Sequence, residues 1–269
     1  MNNEITILGT SAGPGVPSFF CDCCACREAR QNPDLTRTRS GALLRSGLQC
    51  ALIDCSPDLR SQLVREQIVR IDAIFLTHWH FDHFGGLGEL EYYVKLDRKE
   101  PIPFYLPPSA VTRFSEAFPD IQEIFAVTPW QFYQPCRFAD FTLTPLPARH
   151  GIETAGFLIE SGQRKLAYFP DTAGLDDTSQ KLLGNLDWFV CDATFSHENW
   201  FPDSHMSLAQ TIALGNHLGA QETVLTHLAM HYSQPVTTSD LYNLIAAEPQ
   251  VRLATDGLTF EFEPISEGV

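Results

Sequence analysis

Thr77-His78-Trp79-His80-Phe81-Asp82-His83 is the stretch that decides how this chain is read. Its metal-ligand types are His78, His80, Asp82 and His83, and they follow the apolar run Asp72-Ala73-Ile74-Phe75-Leu76, which reads as a buried strand. In an extended segment residues two apart project to the same face, so the rings of His78 and His80 share one side. Asp82 and His83 come where the chain must turn, and Gly85-Gly86 permits a tight path. One short loop thus offers His78 and His80 to one ion and Asp82 and His83 to a neighbour. Imidazole and carboxylate suit zinc, manganese or iron. The competing reading is a polar loop that happens to be rich in histidine. The buried strand before it, and similar contexts downstream, argue against that.

H-x-H-x-D-H after a strand resembles the hallmark of the metallo-β-lactamase superfamily of metallohydrolases. The resemblance implies an αββα four-layer sandwich of the α/β (α+β) class, with a metal site at one edge of the two sheets. It also implies three further ligands. His150, in Pro147-Ala148-Arg149-His150-Gly151, matches the third histidine of the first ion. Asp171, after Leu166-Ala167-Tyr168-Phe169-Pro170, matches the carboxylate that bridges both ions. His227, after Val224-Leu225-Thr226, matches the last ligand of the second. The implied sets are His78, His80 and His150 on one ion and Asp82, His83 and His227 on the other, with Asp171 shared.

The second cluster is Phe20-Cys21-Asp22-Cys23-Cys24-Ala25-Cys26. Met1-Asn2-Asn3-Glu4 lacks the basic region of a secretory signal, which leads us to expect a cytoplasmic, reducing setting. Clustered cysteines there are metal ligands more often than disulfides. Cys21, Cys23 and Cys26 offer three thiolates to a zinc, and a closed tetrahedral site needs a fourth ligand. His231 and Cys24 are the two candidates. Cys50, Cys55, Cys136 and Cys191 sit in apolar contexts and read as small buried hydrophobes.

Gly9-Thr10-Ser11-Ala12-Gly13-Pro14-Gly15-Val16-Pro17 followed by C-x-C-x-x-C resembles the PhnP-type branch of the superfamily. Its namesake is the phosphoribosyl cyclic phosphodiesterase of carbon–phosphorus lyase (phosphonate) metabolism. In that branch three cysteines and a histidine hold a structural zinc beside the dinuclear site. One spacing departs: His231 follows His227 by four residues, against three in the family enzyme. The branch also places a phosphate-contacting histidine where His205 stands, in Asp203-Ser204-His205-Met206-Ser207, just before a helical stretch. The competing role for that segment is a helix-capping loop led by Ser204 or Ser207. His197 is a weaker alternative to His205, and His217 reads as a surface residue.

The resemblance therefore implies two catalytic divalent ions (manganese or zinc), one structural zinc, and a catalytic set of Asp82, Asp171 and His205. It implies attack on the phosphorus of a small phosphodiester, with the ions acidifying a water and His205 as general acid. A transfer-RNA-processing relative and a non-hydrolytic PQQ-biosynthesis-type protein of the same fold are the alternatives. The branch also suggests a homodimer.

Composition agrees with a single domain over 1–269, with the cysteine loop near 20–26 as an insertion. Hydrophobic residues make up 44%, and no apolar run reaches the length needed to cross a bilayer. Net charge is −15, without the basic footprint that a long nucleic acid requires. The basic stretch Arg37-Thr38-Arg39, with Arg45, reads either as a solvated face or as a seat for a substrate's terminal phosphate. The pattern predicts strands near 4–9, 41–47, 50–54, 72–77, 138–146, 155–160, 165–170, 187–191, 222–226 and 258–262. It predicts helices near 57–67, 108–117, 178–184, 207–218 and 238–247. Pro101-Ile102-Pro103 through Pro107-Pro108 reads as a connection. Most aromatics near the motifs (Phe19, Phe20, Trp79, Phe81, Phe84, Tyr92, Tyr93) read as packing, and Trp200 and Phe201 as a pocket wall or dimer contact.

Overall fold

The computed structural model describes residues 3–232 and 234–262. The first sheet opens with the antiparallel strands β1 (Asn3–Gly9), β2 (Gly41–Ser46) and β3 (Gln49–Ile53). It continues in parallel through β4 (Ala73–Phe75), β5 (Ile102–Leu106) and β6 (Phe125–Pro129). The second sheet runs antiparallel through β7 (Cys136–Phe138), β8 (Phe141–Pro147), β9 (Ala155–Ser161) and β10 (Arg164–Phe169). From β10 it is parallel through β11 (Trp188–Asp192), β12 (Glu222–Thr226) and β13 (Val251–Leu253). Strand β14 (Thr259–Phe262) returns to pair antiparallel with β1, giving two seven-stranded sheets.

A core of inward side chains from both sheets, including Ile5, Leu44, Phe75, Phe141, Phe157, Tyr168 and Val190, lies between them. A second cluster joins the outer face of the first sheet to Leu59 and Phe114 of the helices Leu59–Arg65 and Val111–Ala117. Two more clusters cover the second sheet, and Leu208 and Leu241 contribute to one of them from the helices Leu208–Leu218 and Thr238–Leu244. Each sheet carries apolar residues on both faces and so needs two covers, which is the reason for four layers. Among the described residues no helix is long and apolar enough to cross a membrane.

The parallel halves position the site. In a parallel sheet the C-terminal ends of neighbouring strands open on one edge, so residues just beyond β3 and β4 come together. The same holds beyond β10, β11 and β12. The two edges are tied where Ala155 N donates to Thr77 O at 3.0 Å and the Trp130 indole to Leu76 O at 2.8 Å.

Several sequence expectations need correction. The segment 101–108 contains a strand: Ile102, Phe104 and Leu106 are buried and alternate with half-buried Pro103 and Tyr105, a period-two pattern that the prolines obscure. The strand expected at 138–146 is a hairpin, β7 and β8, turned over two residues after Phe138. The short strands β6 and β13 carry no clear sequence signal, and neither does the helix Cys24–Gln31, which takes Cys26 out of a loop. The basic stretch is not an open solvated face. Arg37 is buried and donates to Thr10 Oγ1 and Ala254 O, while Arg39 pairs with Asp58 at 3.1 Å and donates to Gly13 O. Phe19 and Phe20 pack in no core; they are 95% and 72% exposed.

Candidate metal centre and substrate cavity

The loop after β4 begins with Thr77 and His78, both fully buried, and reaches the short helix Phe81–Phe84. Trp79 turns inward and stacks on Phe84 with ring centroids 4.0 Å apart, which fixes the loop from beneath. Gly86 is needed for close approach, since a Cβ there would lie 2.1 Å from Ser56 O.

His78 Nε2 lies 3.0 Å from His80 Nδ1, and His150 Nε2 lies 3.1 Å from the same atom. Nitrogens at about 2.0–2.1 Å from a tetrahedral ion are about 3.3 Å apart, so these three form one face of such a site. The second group is Asp82, His83, Asp171 and His227, whose ligand atoms all lie within 4.8 Å of one another. Asp171 faces both groups. Its Oδ2 is 2.5 Å from His83 Nε2 and 3.5 Å from His78 Nε2, and its Oδ1 is 3.2 Å from His227 Nε2.

The donor set fits divalent cations. His83 Nε2, His227 Nε2 and Asp171 Oδ1 are buried and make no hydrogen bond, an arrangement that costs free energy unless something positive lies between them. The opposite ring nitrogens, by contrast, are engaged. His83 Nδ1 lies 2.7 Å from Asp54 Oδ2, His78 Nδ1 2.9 Å from Thr77 Oγ1, His227 Nδ1 2.9 Å from Thr194 Oγ1, and His150 Nδ1 2.8 Å from Ser204 O. Each partner takes the Nδ1 proton and turns the Nε2 lone pair inward. Burial disfavours a charge on His83, but Asp54, Asp82 and Asp171 outweigh it and hold that imidazole well above its ordinary pKa. For Asp82 burial also opposes ionisation, and His83 and His227 overcome it, lowering the carboxyl to about 2. Asp54 and His227 have φ of 65° and 56°, backbone strain of the kind that gathers at functional sites.

His205 stands beside the second group. Its Nδ1 is 2.8 Å from Asp192 Oδ2 and 3.2 Å from Asp171 Oδ1. Burial opposes its protonation, yet the Asp171 and Asp192 carboxylates beside it raise its pKa to about 10. Asp192, fully buried, also accepts from Thr172 N, Thr194 N and Met206 N. The segment's capping role is filled separately by Ser207, which accepts from Gln210 N at the start of Leu208–Leu218. His197 and His217 are exposed and belong to no cluster.

The cysteine group consists of Cys21, Cys23, Cys26 and His231, with ligand atoms within 4.8 Å of one another and Cys24 outside it. His231 Nδ1 is 3.2 Å from Cys26 Sγ and 3.6 Å from Cys23 Sγ, and its Nε2–H donates to Gly15 O at 2.7 Å. The free lone pair therefore faces the thiols. Burial pushes the Cys26 thiol up to about 12, a group that ionises only beside a cation. Arg30 pins the loop by donating to Ser18 O and Cys21 O. This group joins the chain at Gly15 to the chain at His231, and the neighbours Gly13, Pro14 and Tyr232 line the cavity over the metal groups.

That cavity has a volume of about 420 Å³, with His80, Asp82, His150, Asp171, His205 and His227 at its base. Phe195, Trp200, Phe201 and Tyr232 form one wall, as expected for Trp200 and Phe201. Asp54, Asp192 and Thr194 are site residues that the sequence reading misses. A signal is present for the aspartates: Leu52-Ile53-Asp54 and Val190-Cys191-Asp192 are apolar runs closing on an aspartate, as at Asp171.

Residues 51–228 match the beta-lactamase superfamily domain. A crystal structure described as a new diphosphatase from the PhnP family superposes with a TM-score of 0.83 at 27% identity, covering 97% of this chain and 98% of the other. Coenzyme PQQ synthesis protein B of Methylobacterium radiotolerans is 30% identical over 73% of this chain and 74% of its own. An octanoyltransferase of Porphyromonas gingivalis is 29% identical over 84% of this chain, which spans 46% of that protein's length.

Proposed function

Because this chain belongs to the metallo-β-lactamase superfamily, in its PhnP-like branch, we propose that it is a metal-dependent phosphoric diester hydrolase acting on a small, cyclic phosphodiester. The observation that carries this reading is the pair of inward-facing ligand groups sharing Asp171 at the base of a cavity that His205 also lines. His78, His80 and His150 would hold one ion, Asp82, His83 and His227 the other, and Asp171 both. Divalent ions held there would supply positive charge for the non-bridging phosphate oxygens and acidify a water.

The chain's own residues do the rest. Asp54, Thr77, Thr194 and the Ser204 carbonyl hold four ligand imidazoles in one tautomer, so no ring has to reorient during turnover. Asp192 holds His205 by Nδ1, which leaves Nε2 to the substrate. As a water oxygen bonds to phosphorus and the bond from phosphorus to the departing oxygen breaks, His205 gives that departing oxygen its proton. In a cyclic phosphate this oxygen stays tethered beside the acid, which suits so compact a cavity. The fold of PQQ synthesis protein B is shared, but the full set of seven candidate ligands favours hydrolysis.

The experiment is hydrolysis of bis(p-nitrophenyl) phosphate and of a ribose cyclic phosphate by protein reconstituted with manganese or zinc, against Asp171→Ala. Turnover that is lost in the variant is expected. Equal turnover by both, or none with either metal, refutes the proposal.

A further inference from the structure

The cavity's wall carries information about the part of the substrate that does not react. Among the described residues that line it there is no lysine or arginine. Arg37 is held inside the fold and Arg39 pairs with Asp58. Opposite the metal groups stand aromatic rings in contact with one another. Phe195 and Trp200 have centroids 5.6 Å apart, Trp200 and Tyr232 5.4 Å, and Phe195 lies 6.3 Å from the His205 ring. Phe195 is buried and supports the others. Trp200, Phe201 and Tyr232 remain 41%, 60% and 39% exposed, unusually open for large rings gathered in one place.

We infer that the non-reacting group of the substrate is a flat, uncharged ring that stacks on Trp200 and Tyr232, not a sugar bearing a second phosphate. This deepens the diesterase reading and rests on it. A terminal phosphate would meet Asp82 and Asp171 in a cavity whose described lining offers no lysine or arginine to receive it. A neutral ring displaces water from apolar faces that are otherwise wet.

Three diesters with one leaving group test this: methyl p-nitrophenyl phosphate, thymidine 5′-(p-nitrophenyl phosphate), and the same thymidine ester carrying a 3′-phosphate. Expected is a kcat/KM for the thymidine ester roughly tenfold or more above the methyl ester, with no gain from the added phosphate. In Trp200→Ala the advantage of the thymidine ester over the methyl ester shrinks by about tenfold, mainly through KM; Tyr232→Ala acts in the same direction. Equal rates for methyl and thymidine esters, a gain from the 3′-phosphate, or an advantage that survives both substitutions overturns this inference and leaves the diesterase reading standing. No turnover of any of the three overturns this inference, and it overturns the diesterase reading too if a ribose cyclic phosphate is not hydrolysed either.

Discussion

Asp54→Asn separates a shape role from a proton role at one buried atom pair. Asp54 is 1% exposed; its Oδ1 accepts from Thr77 N at 2.8 Å and its Oδ2 lies 2.7 Å from His83 Nδ1. The Thr77 hydroxyl donates to the same carboxylate and lies 2.9 Å from His78 Nδ1. One carboxylate thus orients a ligand in each metal group. Asparagine keeps the shape, but its single oxygen cannot serve both sides. If that oxygen accepts from Thr77 N, the amide NH2 meets His83 Nδ1, and the imidazole must move its proton to Nε2. That proton then points at Asp171, where the ion should be. Losing such a partner typically costs 10–100-fold in metal affinity, about 1.4–2.7 kcal/mol. Asp54→Ala is a poorer probe. It strands the His83 N–H, the Thr77 N–H and the Thr77 hydroxyl at about 1–3 kcal/mol each, a sum comparable to the whole stability of a domain. The assay is competition for zinc or manganese with a chromophoric chelator, on Asp54→Asn and the unaltered protein. Weakening by one to two decades is expected, and affinity unchanged at every site refutes the tautomer argument.

Three more outcomes can be checked directly. His205→Ala should slow kcat by roughly 10²–10⁴-fold with metal content intact, since it removes a proton donor and none of the seven ligands assigned to the two ions; plasma mass spectrometry beside steady-state kinetics decides it. Cys26→Ser should lose one zinc and lower the melting temperature. It should also raise KM more than it lowers kcat, because the cysteine group ties together the two loops that line the cavity. Gly156→Ala should lower the urea midpoint by the equivalent of about 1–3 kcal/mol, since a Cβ there would lie 2.1 Å from the Phe169 ring.

The contrast between what is legible in the sequence and what is not has a physical cause. The contiguous run from His78 to His83 is legible because so many ligand types within one turn of chain seldom gather except around a metal. His150, Asp171 and His227 become legible through their place after apolar runs, and the structure brings all of them to one cavity. Asp54 and Asp192 follow equally apolar runs, but a lone aspartate after a strand is common. Only the parallel pairing of β3 with β4, and of β10, β11 and β12, makes theirs special. Between Cys24 and His231 the sequence leaves two fourth partners for the cysteines; the helix beginning at Cys24 carries its thiol out of the group, and His231 is the residue brought in. Proline hides β5, because Pro103 weakens a strand signal that Ile102, Phe104 and Leu106 otherwise carry. Arg37 and Arg39 look like a solvated basic patch in sequence, and only the fold reveals that their charge is committed to Thr10, Ala254 and Asp58.

The most direct test of the account is the metal content of the purified, dialysed protein after reconstitution, determined by plasma mass spectrometry against protein concentration. Two ions sharing Asp171 and a zinc on Cys21, Cys23, Cys26 and His231 predict about three metal ions per chain. A single zinc per chain that Cys26→Ser removes, with nothing bound by the histidine groups, would contradict the dinuclear site and the hydrolytic function built on it.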